Sequence, residues 1–331
     1  MTVLVTGGAG YIGSHMVHAL TDRGEPLVVV DNMTTGYRPN LPDNVALVIG
    51  DIGDQILVES VMREHGVNAV VHFAGSIVVP DSVTDPLGYY ANNTVKSRTL
   101  MAAAVNCGVK HFIFSSTAAV YGMPDQPMIA EHAPTVPISP YGSSKLMTEM
   151  MLADTAFAHD FAYTALRYFN VAGADPEGRT GQSSPRATHL IKVASQAALG
   201  QRSHMEIYGT DYETEDGTGV RDYIHVSDLI AAHVLALDRL RAGGDSQVMN
   251  CGYGRGYSVR QVVDAVKRVS GVDFEARETG RRAGDPATLV AIADWARQEL
   301  GWVPAYDDLD VIVGHAYAWE TRMAGRNTAG A

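Results

Sequence analysis

The stretch Val3-Leu-Val-Thr-Gly7-Gly-Ala-Gly-Tyr-Ile-Gly13 decides the fold of this chain. Its β-branched start predicts a strand, and apolar residues at helical spacing as far as Leu20 predict a helix directly after the glycines. A second apolar run, residues 27–30, predicts the next strand and ends in Asp31. The order strand, glycine loop, helix, strand, acid indicates a dinucleotide site, whereas the glycines alone would also fit a turn that binds nothing.

Each part of this pattern has a role in holding a dinucleotide. Gly7, Gly10 and Gly13 would let the backbone approach a pyrophosphate, whose charge is favoured at the N-terminus of the helix. Asp31 can accept hydrogen bonds from both hydroxyls of a ribose. Because its carboxylate would repel a 2′-phosphate, the sequence favours NAD over NADP.

Strands and helices continue to alternate along the first half of the chain. Strands are predicted at residues 45–49, 69–73, 111–115 and 163–169, and one long helix over residues 86–109. This alternation implies an α/β fold, a Rossmann-type doubly wound parallel sheet with right-handed crossovers. Ligands then bind at the carboxyl ends of the strands, where five sites fall: Gly7, Asp31, Asp51, Ala74 and residues 115–117.

Asp51 has two readings that the sequence leaves open. It could bind an adenine amino group, with Ile52 packed against the ring. It could equally be the N-cap of the helix that follows.

The second half of the chain predicts a smaller C-terminal α/β domain that covers the first. We expect residues 1–169 with 222–248 to form the NAD-binding domain, and residues 170–221 with 249–331 to form the substrate domain. Within this half, a strand is predicted around Arg221, and Ser227 or Asp228 is expected to cap the next helix. Arg221 and Arg282 are candidates for binding a second pyrophosphate, because the guanidinium fork matches phosphate oxygens.

The segment Tyr141-Gly-Ser-Ser-Lys145 places a phenol and an ammonium on one face of a helix. A nearby positive charge favours the phenolate, so we expect Lys145 to lower the pKa of Tyr141 and make it a base near neutral pH. The spacing is common by chance. It gains weight from the glycine loop and from Thr117, a hydroxyl at the end of a predicted strand.

Composition excludes several classes of protein. The chain has 331 residues and a net charge of −12, which argues against a nucleic-acid or anionic membrane surface. Its two cysteines, Cys107 and Cys251, form no disulfide framework, and its histidines lack zinc-like spacing, so no metal site is expected; His225 is read as a core residue. No signal peptide or membrane span is recognisable, and we expect a cytoplasmic protein.

Seven stretches together resemble the extended short-chain dehydrogenase/reductase family, and within it the nucleotide-sugar 4-epimerases. The resemblance covers nearly the whole chain. The stretches are VTGGAGYIGSH from Val5, VVDNMTTG from Val29, FIFSSTAAVYG from Phe112, SPYGSSK from Ser139, LRYFNVAGADP from Leu166, DYETEDGTGVRDYIHVSDL from Asp211 and RRAGDPA from Arg281.

The resemblance implies an isomerase that interconverts UDP-galactose and UDP-glucose with tightly bound NAD. Hydride would pass from sugar C4 to NAD while Tyr141 takes the hydroxyl proton, Thr117 hydrogen-bonds that hydroxyl and Lys145 holds the nicotinamide ribose. The 4-keto sugar would then turn and take the hydride back on its other face. The family also implies a homodimer formed by the helices through Leu100 and Met147.

Matching the family's motifs position by position gives two binding sets. The implied NAD contacts are Gly7, Gly10, Tyr11, Ile12, Gly13, Asp31, Asn32, Asp51, Ile52, Phe73, Ala74, Asn93, Lys145 and Tyr168. The implied UDP-sugar contacts are Thr117, Tyr141, Asn170, Tyr208, Arg221, Arg282 and Asp285.

Four departures from the family's pattern qualify this reading. Ile77 stands where many members carry a Lys that reaches the cofactor phosphates, and Thr117 replaces a common Ser but keeps the hydroxyl. Leu289 stands where the room for the sugar C2 substituent is set, so an N-acetylhexosamine is an alternative sugar. A UDP-pentose is a further alternative substrate. Thr188 and His189 replace Asn residues that often bind the nucleotide.

Two other functions are alternatives to epimerisation, and the sequence argues against both. A nucleotide-sugar 4,6-dehydratase would carry an Asp-Glu pair after Thr117, and this chain has Ala118-Ala119, which supplies no acid or base. A non-catalytic NAD-binding sensor would have no need for Thr117, Tyr141 and Lys145 together.

Overall fold

The computed structural model describes residues 1–184, 188–282 and 284–329. Its strands are β1 (Thr2–Thr6), β2 (Leu27–Asp31), β3 (Ala46–Ile49), β4 (Val67–His72), β5 (His111–Ser115), β6 (Met128–Ile129), β7 (Ala162–Tyr168), β8 (Asn170–Ala172), β9 (Met205–Tyr208), β10 (Val220–His225), β11 (Gln247–Cys251), β12 (Gly256–Ser258), β13 (Ala276–Thr279) and β14 (Thr288–Ala291).

Its helices are α1 (Tyr11–Asp22), α2 (Gln55–Glu64), α3 (Val79–Thr84), α4 (Pro86–Tyr89), α5 (Lys96–Asn106), α6 (Pro140–Ala158), α7 (Leu190–Ala198), α8 (Val226–Arg241), α9 (Val259–Ser270), α10 (Asp294–Leu300) and α11 (Leu309–Ala329). Short 3₁₀ turns cover Arg38–Asn40 and Ala118–Tyr121, and a π-helical stretch covers Tyr90–Val95. None of the helices in the described ranges is both long and apolar enough to cross a bilayer.

Seven strands form one parallel sheet in the order β11-β7-β5-β4-β1-β2-β3. This confirms the predicted Rossmann-type fold. The chain runs outward in one direction from β1 and in the other from β4, so the strand order reverses between these two strands. Open α/β sheets bind ligands in the crevice at such a switch point.

Alternating residues of the central strands pack into two separate cores. Leu4 lies in the apolar cluster on one face, with Val70 of the neighbouring strand. Val3 and Val5 lie in the cluster on the other face. Both faces of a parallel sheet are covered by helices, which is why these strands read as continuous apolar runs rather than as alternating ones.

Two smaller sheets lie in the second half of the chain. One contains β12, β10, β14 and β6, with β8 also paired to β10, and the other contains β13 and β9. Strand β11 belongs wholly to the seven-stranded sheet, so it crosses the boundary expected at residue 248. Strand β10 belongs to the smaller sheet, although most of its residues were grouped with the first domain. The division into two domains stays a prediction.

The single helix predicted over residues 86–109 is confirmed as a continuous helical segment from Pro86 to Asn106 that contains a π-helical stretch, and it is wrong at its end. Helix α4 is followed by the π-helical stretch Tyr90–Val95, and α5 ends at Asn106. Gly108 has φ +71°, a left-handed conformation that a helix cannot continue through. The wider π-turn directs two neighbouring asparagines toward the active-site side, as described below.

Two predicted helix caps are corrected by the structure. Asp54, and not Asp51, accepts the hydrogen bond from the Leu57 N–H at the start of α2. His225 caps α8 by accepting the Ser227 N–H through Nδ1, so neither Ser227 nor Asp228 is the cap. In both cases a residue near the expected one has the extended backbone that the N-cap position requires.

Candidate active site

Helix α6 carries the Tyr-Lys pair into the core. The helix starts behind Ser139, whose Oγ accepts the Gly142 N–H at 3.2 Å, and Pro140 occupies its first position. Tyr141 and Lys145 therefore lie on successive turns of one face, and both are buried. Lys145 Nζ donates to the Ser115 carbonyl oxygen at 2.8 Å.

Thr117 completes this group from the end of β5. Its Oγ1 accepts the Ala119 N–H at 3.1 Å, which fixes the side chain at the start of a 3₁₀ turn. Thr117 also hydrogen-bonds the hydroxyl of Tyr141. The three predicted catalytic side chains are thus brought together at the carboxyl edge of the sheet.

Burial, rather than the helical spacing, dominates the electrostatics of the pair. Loss of hydration raises the pKa of Tyr141, and the hydrogen bond from Thr117 acts against this. Loss of hydration also lowers the pKa of Lys145 to about 8, while Glu149 acts to raise it. The expectation of a lowered pKa for Tyr141 is not met in this structure, because the burial of the phenol raises that pKa, while Lys145 Nζ is directed at the Ser115 carbonyl.

The glycine loop joins β1 to α1 at the switch point of the sheet. A Cβ on Gly7 would lie 2.7 Å from the Ala74 nitrogen, and a Cβ on Gly13 would lie 2.2 Å from the Gly7 carbonyl oxygen. The N-cap of α1 is Gly10, which has no side chain to bond the first amides of the helix. These amides and the helix dipole suit a phosphate group, with Tyr11 and Ile12 in the first turn.

Asp31 closes the loop at the end of β2. Its Oδ2 accepts the Ala9 N–H at 2.9 Å and its Oδ1 accepts the Met33 N–H at 2.8 Å. Asp31 is buried and is the last residue of β2, at the strand end where a ribose would lie. The donors and the shape of this loop fit a dinucleotide.

The ends of β2 and β3 also bring together the predicted adenine-side residues. Asp51 accepts the Gly53 N–H at 2.8 Å and Lys96 Nζ at 2.5 Å. Although desolvation acts to raise the pKa of Asp51, the hydrogen bonds from Lys96, Gly53 and Asn32 hold it below its usual value. Ile52 is buried beside it.

Asn93 ties the loop after β4 to the catalytic helix. Its Oδ1 accepts the Ser76 N–H at 2.7 Å, and its Nδ2 donates to the Ser76 carbonyl oxygen and to Ser144 Oγ, both at 3.0 Å. Asn92, its neighbour in the π-helical stretch, donates to Ser76 Oγ at 2.9 Å. The side chain of Asn93 therefore positions the loop that contains Ala74 and Gly75.

Tyr168 and Phe73 border the catalytic group from two strands. The Tyr168 hydroxyl hydrogen-bonds Ser115 Oγ, next to the carbonyl that holds Lys145. Phe73 follows β4, and its ring centroid lies 5.1 Å from that of His233. The predicted cofactor residues therefore line the edge of the sheet from β3 to β7.

The predicted UDP-binding residues form a second, basic cluster. Arg221 on β10 pairs with Asp285 and donates to the Pro286 carbonyl oxygen at 2.6 Å. The guanidinium of Arg282 lies 3.7 Å from the ring centroid of Tyr208. Guanidinium groups match the oxygens of a pyrophosphate, and the Tyr208 ring already carries one of them on its face.

Asn170 lies between this cluster and the glycine loop. It opens β8 opposite Tyr223, two residues along β10 from Arg221. Asn170, Tyr11 and His189 border one cavity of about 40 Å³. Tyr11 also donates its hydroxyl to the Gly173 carbonyl oxygen at 2.7 Å, which links the two predicted binding regions.

The structure shows the surroundings of three residues that depart from the family's pattern. Ile77 is 51% exposed beside the Ser76 loop, so it offers no charge to a phosphate. Leu289 pairs in register with Arg221 and packs against the small cluster that contains Ala118. His189 Nδ1 lies 3.2 Å from Gln182 Nε2.

Sequence reasoning missed Glu149 and Arg167. Both are buried, and they form an ion pair on the core side of the catalytic helix. The signal was present, since Glu149 follows Lys145 by four residues and therefore shares its helix face. No metal site accompanies them: the described residues contain no cluster of three or more His, Cys, Asp or Glu side chains that could hold an ion.

Comparison with known proteins agrees with this geometry. A UDP-glucose 4-epimerase of Azospirillum brasilense is 61% identical over 321 residues, which are 97% of this chain and 92% of the relative. The crystal structure of UDP-glucose 4-epimerase from Brucella ovis in complex with NAD has TM-score 0.93 and 44% identity, and it covers 96% of this chain and 97% of that chain.

The structure of the UDP-Glc/GlcNAc 4-epimerase from Campylobacter jejuni has TM-score 0.86 and 44% identity, with 97% of this chain and 99% of that chain covered. The NAD dependent epimerase/dehydratase family matches residues 3–252. The chain belongs to this family.

Proposed function

We propose that this protein is an NAD-dependent isomerase that interconverts UDP-glucose and UDP-galactose by inverting C4 of the sugar. The observation that carries this proposal is the meeting of Thr117, Tyr141 and Lys145 at the sheet edge, between the glycine loop and the Arg221 cluster. The activity of the relatives, UDP-glucose 4-epimerase, agrees with it.

The protein's own side chains account for the proton transfer. Bound NAD supplies a reversible acceptor for the hydride from C4. Thr117 orients the C4 hydroxyl, and Tyr141 takes its proton and later returns it. Lys145, whose pKa is about 8, carries its charge at neutral pH and stabilises the phenolate form of Tyr141, which is the form that accepts the proton.

Inversion requires a fixed nucleotide and a mobile sugar. In this proposal the UDP part is held by the side chains of Arg221, Arg282, Asp285, Tyr208 and Asn170. The UDP part then supplies the binding energy, and the sugar ring needs no directional contacts. The 4-keto sugar can therefore rotate between the two hydride transfers.

A second candidate substrate is UDP-N-acetylglucosamine. Leu289 pairs with Arg221 and is neither the smallest nor the largest side chain that could stand there. A solved relative at 44% identity is a UDP-Glc/GlcNAc 4-epimerase. A UDP-pentose is a further alternative, whereas dehydration has no support, because Ala118 and Ala119 bring no acid or base to Thr117.

The proposal is tested by incubating the purified protein with UDP-galactose without added cofactor. Formation of UDP-glucose is expected, since NAD is regenerated in every cycle. If NAD is shown to be bound but nothing forms, the same assay with UDP-N-acetylglucosamine and a UDP-pentose identifies the substrate. Absence of both NAD and turnover, even after NAD is supplied, contradicts the proposal.

We infer that the protein is a homodimer formed through α5 and α6. The outer face of α6 exposes Met147, Met150 and Phe157, the last two at 61% and 95%. Exposed apolar side chains along one helix favour burial against a second copy, in a bundle of two helices from each chain. Met150→Glu is expected to yield monomers in sedimentation equilibrium, whereas Val303→Glu, at an apolar site 81% exposed elsewhere, is the matched control.

We also place the protein in the cytoplasm. Cys107 and Cys251 are unpaired thiols, and reducing compartments keep thiols in that form. Fractionation of cells that express the tagged protein tests this placement.

A further inference from the structure

A buried carboxylate lies directly behind the catalytic pair. Glu149 is on α6, one helical turn beyond Lys145, and is 5% exposed. Arg167 of β7 donates to it twice, from Nε at 3.0 Å and from Nη2 at 2.6 Å. Ser116 Oγ donates to the same carboxylate. Each of these three hydrogen bonds is donated to the carboxylate.

These contacts place Glu149 at the junction that orients the catalytic groups. Ser116 lies between Ser115, whose carbonyl accepts Lys145 Nζ, and Thr117, which bonds Tyr141. The Ser116 N–H also donates to the Leu166 carbonyl oxygen at 2.9 Å. Glu149 thus connects α6 to the end of β5 and to β7.

The ion pair of Glu149 and Arg167 is also held in place through Arg167. Arg167 Nη1 donates to the Tyr121 hydroxyl at 3.0 Å and to the Glu131 carbonyl oxygen at 3.3 Å. Tyr121 in turn donates to Asn250 Oδ1 at 2.7 Å. A buried ion pair gives little net stability over apolar residues of the same volume, so its presence here calls for a role beyond holding the fold together.

The groups that face Lys145 come from three elements. They are Tyr141 and Glu149 on α6, His72 on β4, and Tyr168 on β7. His72 is kept neutral at working pH, since burial and the charge of Lys145 lower its pKa to about 3. Both tyrosines have raised pKa values because they are buried. Glu149 is thus the group that opposes the loss of charge on Lys145.

Glu149 itself is faced by Lys145 on its own helix, by Arg167 and Tyr163 on β7, and by Tyr121 from the 3₁₀ turn. Burial raises the pKa of both tyrosines, so both stay neutral in the working range. The charges at this site are therefore one carboxylate and two cations.

We propose that Glu149 is a positioning residue for the reaction, whose carboxylate keeps Lys145 charged beside Tyr141 while its bonds to Arg167 and Ser116 hold the end of β5 in place. This inference rests on the proposed role of Lys145.

The test is the dependence of kcat on pH in the NAD-loaded enzyme. Turnover requires charged Lys145, so kcat falls as pH rises through the pKa of Lys145. Glu149→Gln is expected to move this alkaline fall to lower pH by about one unit, the lower end of the effect of a nearby opposite charge. The matched control is Glu320→Gln, which breaks another buried ion pair, with Lys192, and should lower thermal stability without moving the alkaline fall.

A second variant separates charge from folding. Glu149→Gln leaves Arg167 without its partner, so the double variant Glu149→Met, Arg167→Met replaces the whole pair by apolar side chains. The double variant also removes the positive charge of Arg167, so it is expected to fold and to show an alkaline fall displaced to lower pH by less than in Glu149→Gln. An unshifted profile in folded Glu149→Gln overturns the inference.

Failure of the underlying proposal has a different signature. If the unaltered enzyme shows no epimerisation, or if Lys145→Met keeps full turnover, the proposed role of Lys145 is wrong, and the inference falls with it. If Lys145→Met is inactive but neither Glu149 variant moves the alkaline fall, only the inference about Glu149 is wrong.

Discussion

At the scale of single residues, burial decides what the reactive side chains can do. Tyr141 and Lys145 share a helix face, as their spacing requires, but desolvation raises the pKa of the phenol and lowers that of the ammonium to about 8. Because burial raises the pKa of Tyr141, its proposed action as a proton acceptor depends on nearby groups that stabilise the phenolate. Thr117 and the charge of Lys145 supply that support at the sheet edge.

Replacing Tyr141 by Phe removes the proton acceptor and leaves the ring in place. We expect kcat to fall by roughly 10²–10⁴-fold, the usual contribution of a general base. The NAD content and the affinity for UDP-sugar should stay unchanged, as measured by absorbance of the extracted cofactor and by calorimetry.

Tyr163→Phe is the matched control for that variant, because Tyr163 is also buried but lies in the apolar core with Leu152. It should keep full turnover. If Tyr141→Phe retained the turnover of the control, Tyr141 would have no part in the proton transfer.

At the scale of elements, close backbone approach shapes the cofactor site. The first turn of α1 passes so near the end of β1 that a single methyl group does not fit at Gly13. The π-helical stretch Tyr90–Val95 has a comparable role, since it presents Asn92 and Asn93 to the loop after β4. Both features place backbone and amide groups where a dinucleotide would lie.

Gly13→Ala tests the close approach. The added Cβ would lie 2.2 Å from the Gly7 carbonyl oxygen, so the loop must shift and the amides at the start of α1 lose their alignment. We expect the purified variant to lose most of its bound NAD, as measured by cofactor released on denaturation.

The control for Gly13→Ala is Gly314→Ala in α11, where an added Cβ meets nothing within 4 Å. Alanine favours a helix over glycine by about 1 kcal/mol, so this control should be neutral or slightly stabilising. Equal NAD content in the two variants would show that the loop tolerates a side chain at Gly13.

At the scale of the whole molecule, four of the buried histidines in the described part of the chain have strongly lowered pKa values, which keep them neutral. They are His15, His72, His225 and His233, and desolvation lowers their pKa values to about 4, 3, 3 and 4. His225 is satisfied within the core, as the sequence suggested, by Ser227 and by His315 Nδ1 at 3.0 Å. Such groups link the folding equilibrium to pH.

The stability of the protein should therefore fall as pH drops below about 6.5, the pKa of an unfolded histidine. Each folded pKa lies below that value, so the unfolded chain binds protons first. The contribution of these histidines to the free energy of unfolding is fully present above this pH. It is lost toward pH 4, by about 1.4 kcal/mol per pH unit for each histidine. Urea unfolding with excess NAD, at intervals from pH 7 to 5, measures the slope.

His233→Gln removes one of these titrations and should reduce the slope by about one proton. Its ring hydrogen-bonds the Leu229 carbonyl oxygen through Nδ1 and packs against Phe73 and Tyr168, so the variant is compared by its slope and not by its absolute stability. A stability that stays constant from pH 7 to 5 would contradict the buried, neutral state of these histidines.

Sequence by itself determined the parts of this protein that depend on local order along the chain. The glycine loop, Asp31 and the Tyr141–Lys145 pair were predictable, because periodicity and spacing fix which groups follow a strand or share a helix face. The α/β fold, the family and NAD as cofactor followed from those stretches. The individual site residues remain predictions, since no ligand contact tests them.

Only the tertiary structure decided what depends on neighbours distant in the chain. It selected Asp54 over Asp51 as a helix cap, inserted a π-turn into the predicted long helix, and set the pKa of Tyr141 by burial. It also brought Arg167 to Glu149, behind the catalytic pair. These outcomes arise from packing and desolvation, which depend on residues from several elements at once and leave no periodic signal in the sequence.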